Sequence, residues 1–188
     1  MTSSRALSLR SLLVLVCVGL SSVTVLDSLT RCEFFCLRIT KTFAGELEQA
    51  ELQRQADQLL SEGIEYYQVS QFPQALEKWQ QALALYRQLD SGAGEAKILG
   101  NIGLIHNRLG DHTQALGFYE QSLAIAREIG DRATEAKSLT QIGNTHQLLG
   151  DYSRALDFHE QGLVITRDIG DRAGEGQTLG NISSSKTL

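Results

Sequence analysis

Proline occurs once in the 188 residues, cysteine three times, and aromatic residues make up only 6%. The single Pro73 closes Val69-Ser-Gln-Phe-Pro73 at a predicted helix start, where its missing N–H does no harm. Cys32 and Cys36 form the only close cysteine pair. One helical turn apart, they point poorly for a disulfide. A metal site would need two further ligands, and none lies near in sequence. The excess of acid over base, a net charge of −5, argues against an electrostatic nucleic-acid footprint. No Cys–His, Ser–His–Asp or HExxH arrangement emerges. Without strands there is also no glycine-rich loop following one. No catalytic residue, cofactor or metal is expected, and the search narrows to binding.

What is present is repetition. Glu95–Ala133 and Glu135–Ala173 are identical at 23 of 39 aligned positions, with no gap. A period of 20–50 residues signals stacked supersecondary units, none of which can bury its apolar face alone. The register runs upstream through Ala56, Leu59, Gly63, Ala75 and Leu76, and downstream through Glu175, Leu179 and Ile182. Units therefore span 53–93, 94–133 and 134–173, followed by half a unit at 174–188.

Each unit carries two apolar patterns of helical period. In the second they are Ala96, Leu99, Ile102, Gly103 and His106, then Ala115, Leu116, Tyr119, Leu123, Ile125 and Ile129. Gly110-Asp111 separates them and Gly130-Asp131 closes them, with glycine suited to a left-handed helix end. Asp131 is placed to cap the next helix through its carboxylate.

These residues resemble the tetratricopeptide repeat, W-x2-L-G-x2-Y…A…F…P over about 34 residues. The pattern appears as Leu99-x2-Ile102-Gly103-x2-His106…Ala115…Tyr119 and Leu139-x2-Ile142-Gly143-x2-His146…Ala155…His159. The first unit supplies Leu59, Gly63, Tyr66, Ala75 and Trp79. Two departures stand out: the period is about six residues longer than that of the family, and Arg87, Arg127 and Arg167 lie where its terminal proline would be. The long repeat is similar to Pins-like adaptors, kinesin light chains and bacterial arrays, especially cyanobacterial ones, that precede CHAT-type protease domains. The resemblance covers 53–188. It implies an all-α, right-handed solenoid, with Gly103 and Ala115 letting paired helices approach closely.

It also implies a concave groove lined by the first helix of each unit. On those helices the non-core positions are Lys97, Asn101, Leu104, Asn107 and Arg108, then Lys137, Gln141, Asn144 and Gln147, with Gln177 and Asn181 beginning a further set. Asn and Gln can bond a peptide backbone through donor and acceptor atoms alike. The two stacked lysines favour an acidic ligand. The expected role is a protein- or peptide-binding scaffold; the alternative is the recognition part of a CHAT-type protease whose catalytic domain lies outside this chain. His106, His146 and His159 occupy aromatic places in the pattern and are read as packing residues, while His112 follows a turn.

Residues 1–26 stand apart. Arg5 and Arg10 precede an apolar run, Ser11 to Leu26, that fits a secretory signal peptide and falls short of a membrane-spanning helix. No cleavage site stands out. An uncleaved anchor that tethers the chain to a membrane, and a misassigned start nearer Ala44, therefore remain open. Export or membrane attachment is the expectation. Residues 27–52 read as a linker passing into a leading helix. The half unit 174–188, with Ser-Ser-Ser-Lys where its counterparts have Gly and then His or Tyr, reads as truncated and prone to fray.

Overall fold

The computed structural model describes residues 25–186, with side chains from residue 45 onward. The apolar run near the N-terminus lies outside the described residues, apart from its last two positions. Among the described residues no helix is long and apolar enough to cross a membrane. The seven described helices are α1 (Val25–Gln68), α2 (Phe72–Gln88), α3 (Gly92–Arg108), α4 (His112–Ile129), α5 (Arg132–Leu148), α6 (Tyr152–Asp168) and α7 (Arg172–Lys186).

The chain divides into two units, Met1–Leu47 and Glu48–Leu188. Of the first, only helical backbone from Val25 on is described. The segment read as a linker passing into a leading helix, 27–52, has helical backbone throughout. Good helix formers explain its later part, where Arg54 donates to both oxygens of Glu51 (2.7 and 3.0 Å) and Gln53 to Asp57 (3.0 Å). Pairs at i,i+3 and i,i+4 of this kind support a helix from its exposed face.

The second unit is an all-α, right-handed solenoid of stacked helix–turn–helix pairs. The end of α1 pairs with α2, α3 with α4 and α5 with α6, and α7 packs against α6 and α5. From α2 on, each helix packs on the next in sequence, and the first helices also touch across units, α3 on α5 and α5 on α7.

Turns repeat with the same chemistry. Gly110, Gly130, Gly150 and Gly170 all take positive φ, between 72° and 87°. In the first unit the corresponding places hold Ser70 (φ 59°) and Asp90 (φ 53°), residues for which this conformation is less favourable. The N–H groups of Asp111, Asp131, Asp151 and Asp171 each reach back to a carbonyl five residues earlier, at 2.8–2.9 Å. Three of those aspartates then cap the following helix: Asp131 accepts from the N–H of Thr134, Asp151 from that of Arg154 and Asp171 from that of Gly174. One short residue therefore ends one helix and starts the next.

Within each pair, a ring from the second helix enters a gap left by glycine on the first. Trp79 lies on Gly63, Tyr119 on Gly103 and His159 on Gly143. All three rings are buried. A Cβ on Gly103 would stand 2.6 Å from Cε1 of Tyr119, and one on Gly143 would stand 2.6 Å from Cε1 of His159. Between pairs, Arg87, Arg127 and Arg167 reach Glu95, Glu135 and Glu175 on the next helix at 2.8, 3.0 and 2.8 Å. Arginine thus holds the junction at the stretch where the shorter repeat has proline. Burial alone would raise the Glu135 carboxyl, but hydrogen bonds from Arg127 and Arg132 outweigh it and leave the group below its usual range.

The half unit is helical through Lys186, with Thr178, Ile182 and Ser185 buried. Leu179 is 43% exposed, whereas its counterparts Leu99 and Leu139 are 2% and 0% exposed beneath their partner helices.

Two outcomes follow from the glycine–ring contacts. Gly103→Ala should lower the melting temperature, because overpacking a fixed core costs about 1–3 kcal/mol. Gly100→Ala, one turn earlier, should raise it by the ordinary helix gain of about 1 kcal/mol, since a Cβ there meets only Ser122 Oγ at 3.6 Å. Shifts of the same sign in thermal melts would contradict the contact.

His159 generates the second outcome. Both its ring nitrogens are buried without a partner, and burial holds its pKa below the ordinary 6.5. The unfolded chain therefore takes up the proton first as pH falls. The stability His159 provides is present above pH 6.5 and is lost as pH drops from there through the folded value. His159→Phe should melt higher at neutral pH, since leaving a buried polar group unpaired costs about 1–3 kcal/mol. Its advantage should widen at pH 5; an equal advantage at both pH values would contradict this account.

Candidate functional site

Helix pairing decides which residues are left over. In α3, Leu99, Ile102, Gly103 and Ile105 are buried, while Lys97 is exposed and Gly100, Asn101 and Leu104 are half-buried. The same division holds in α5, where Leu139, Ile142, Gly143 and Thr145 are buried and Lys137 is exposed. The leftover residues of the two helices face a common cleft of ≈ 230 Å³. Ala96, Lys97, Gly100 and Leu104 form one wall, Thr134, Lys137, Ser138 and Gln141 the other, and Tyr119 and Ser122 of α4 lie beneath.

A second cleft of ≈ 370 Å³ continues between α5 and α7. Lys137 and Gln141 belong to both, and Gln177 of α7 lines the far side. The two clefts therefore form a continuous groove across three first helices. Its second half is more polar, with Thr140, Thr166, Thr178 and Asp171 in the lining.

Of the eight groove residues expected from the sequence, Lys97, Lys137 and Gln141 come together here. Asn144 lies further along α5, where its Oδ1 accepts from Nδ2 of Asn181 at 2.8 Å and ties α5 to α7. Arg108 is exposed and donates from Nε to the hydroxyl of Tyr67 on α1, at 3.3 Å. Asn107 is turned toward its own unit's turn, 2.6 Å from Nδ1 of His112. Asn101 and Gln147 are half-buried and line neither cleft.

The floor was not anticipated from the sequence. Ser122 donates to the carbonyl of Ala96 at 2.8 Å, and its Oγ lies 3.0 Å from that of Ser138. Both serines are buried, at places that hold apolar residues forty positions earlier, Ala82 and Ile98. That break in the stripe was the available signal.

The electrostatics of the rim are positive but not isolated. Asp131 at the start of α5 is held below its usual pKa, mainly by the Thr134 hydroxyl and backbone N–H, with Lys97 adding a smaller pull. Lys97 and Lys137 therefore share the groove with carboxylates that the helix caps already occupy, Asp131 and Asp171.

The histidines serve packing. His106 stacks on Phe118 with centroids 5.1 Å apart and planes at 16°, and His146 stacks on Phe158 at 5.5 Å and 5°. Among the described residues, no group of three or more His, Cys, Asp or Glu is placed to hold a metal ion.

A family model described as tetratricopeptide repeat matches residues 63–128 and 94–168, more than half of the chain. No curated protein matches. Among solved structures, BtubC (BKLC) from P. vanneervenii is similar over 70% of this chain and 55% of its own, at 20% identity and a TM-score of 0.64. The TPR2AB domain of yeast Sti1, solved as a pHSP90 complex, is similar over 70% of this chain and 46% of its own, at 22% identity and a TM-score of 0.60. The N-terminal domain of stress-induced protein-1 from C. elegans is similar over 72% of this chain and 97% of its own, at 18% identity and a TM-score of 0.56. At such identities the likeness is one of fold, and the chain spans about half the length of the first two. The chain belongs to the tetratricopeptide repeat family.

Proposed function

We propose that this tetratricopeptide repeat array is a protein-interaction scaffold that holds a peptide or an extended segment of a partner along α3, α5 and α7. The observation that carries the reading is the meeting of Lys97, Lys137 and Gln141 in one continuous groove. The amide of Gln141 can pair with both the donor and the acceptor of a peptide backbone. The two ammonium groups favour carboxylates, so the ligand is acidic. The yeast Sti1 domain, solved as a pHSP90 complex, gives a precedent of the same fold.

Such a surface works by placement rather than by chemistry. Side chains fixed on rigid helices lose little freedom when a ligand arrives, which is where extended-peptide binders gain affinity. Micromolar dissociation constants, about −8 kcal/mol, are the natural range for a short segment. The charged part should weaken with salt, because exposed charges are screened beyond about 8 Å at physiological ionic strength.

A partner recovered with the array as bait gives the test. The triple variant Lys97→Ala, Lys137→Ala, Gln141→Ala should bind it at least about tenfold more weakly, a loss of about 1.4 kcal/mol, with helicity by circular dichroism unchanged. Titration calorimetry at two salt concentrations should also show the salt dependence flattened in the variant. Parental affinity in the triple variant would move the binding surface away from this groove.

A further inference from the structure

We infer that the cleft between α3 and α5 is an anchor site for a single apolar side chain of an acidic peptide; this rests on the groove being the binding surface. The first junction of the array, between α1 and α3, shows what fills this space when nothing is to be bound there. Tyr86 rises from α2 with its ring against Gly94 and donates its hydroxyl to Asp57 Oδ1 at 2.6 Å. Leu60 and Ile98 pack in the same cluster.

Forty residues later, the corresponding places are held by Ala126, Gly100 and Ser138. All three counterparts are smaller. At the cleft of ≈ 230 Å³ itself, Gly100 and Ser138 stand where the first junction has an isobutyl group and a branched side chain, while Thr134 takes the place of Gly94. A cavity of about 150 Å³ suffices for a benzene ring. The serine hydroxyls of the floor are bonded to Ala96 and to each other, so they ask nothing of a ligand. Ala96, Gly100 and Leu104 offer apolar wall.

The rim changes at the same junction. The places that hold Asp57 and Lys97 at the first junction hold Lys97 and Lys137 at the second, so mixed charge becomes doubly positive, with the capped Asp131 nearby. At the third junction the counterparts of Gly100, Ser138 and Ala126 are Thr140, Thr178 and Thr166, all lining the cleft, and Asp171 stands beside them. An emptied apolar space and a cationic rim coincide at the second junction. The fitting ligand is a leucine-sized side chain flanked by carboxylates.

Two fluorescein-labelled heptapeptides serve as probes, Glu-Glu-Gly-Leu-Gly-Glu-Glu and its twin with central Ala, titrated against the full chain by anisotropy. The parent should prefer the Leu probe by about tenfold or more. Gly100→Leu restores the counterpart of Leu60, and its Cβ meets only Ser122 Oγ, at 3.6 Å; it should abolish the preference, so that the two probes bind alike. The pair Ala126→Tyr, Thr134→Gly copies the Tyr86–Gly94 contact and should act the same way. Lys97→Ala with Lys137→Ala should weaken both probes and keep their ratio. Equal binding of the two probes to the parent, no binding of the Leu probe, or a preference surviving both filled variants would overturn the anchor site. Undiminished binding to the lysine variant would instead overturn the groove itself.

Discussion

The array depends on a ring pressed into the space that a missing side chain leaves. Gly63, Gly103 and Gly143 lie under Trp79, Tyr119 and His159, and each contact fixes how closely two helices approach and which faces they share. Protein interiors are packed as densely as organic crystals, so the register of one pair leaves little choice for the next. The Gly-Asp turns and the Arg–Glu pairs then set the step between units. As partly exposed ion pairs, the latter contribute about 0–1 kcal/mol each; their role is to join consecutive units rather than to hold the helices folded.

From that constraint the groove follows without further design. The second helices spend their rings on the first helices, and the first helices keep one face for their counterparts in the next unit. Lys97, Lys137 and Gln141 are left on that face and line the cleft. Variation in this face leaves the pairing of helices in place, because exchanging Tyr86 for Ala126 or Leu60 for Gly100 keeps a ring on glycine within each pair, Trp79 on Gly63 and Tyr119 on Gly103. A solenoid can thus differ in what it binds from junction to junction while each unit keeps the same framework.

Much of the fold was legible in the sequence because the period exposes it. The forty-residue register placed the helices, the Gly-Asp turns, the Asp131 cap and the aromatic place that His159 fills. The close approach at Gly103 followed from its small size. Less of the site could be read. Lys97, Lys137 and Gln141 share a cleft, but Asn107 is drawn to His112, Arg108 to Tyr67 and Asn144 to Asn181. Helical spacing tells which face a residue is on, not which neighbour from another helix reaches it first. The floor of Ser122 and Ser138 joins residues from α4 and α5, and polarity alone did not pair them. The leading helix read from the good helix formers after Gly45 continues back as helical backbone to Val25.

The central claim is that ligands lie along the exposed faces of α3 and α5. Amide chemical-shift mapping of the isotope-labelled protein with the leucine-centred acidic heptapeptide tests it most directly. The account predicts perturbations concentrated at 96–104 and 133–141, with α4 and α6 affected only where they underlie the cleft, around Tyr119 and Ser122. Perturbations centred on the outer faces of α4 and α6, with Lys97 and Lys137 silent, would contradict it.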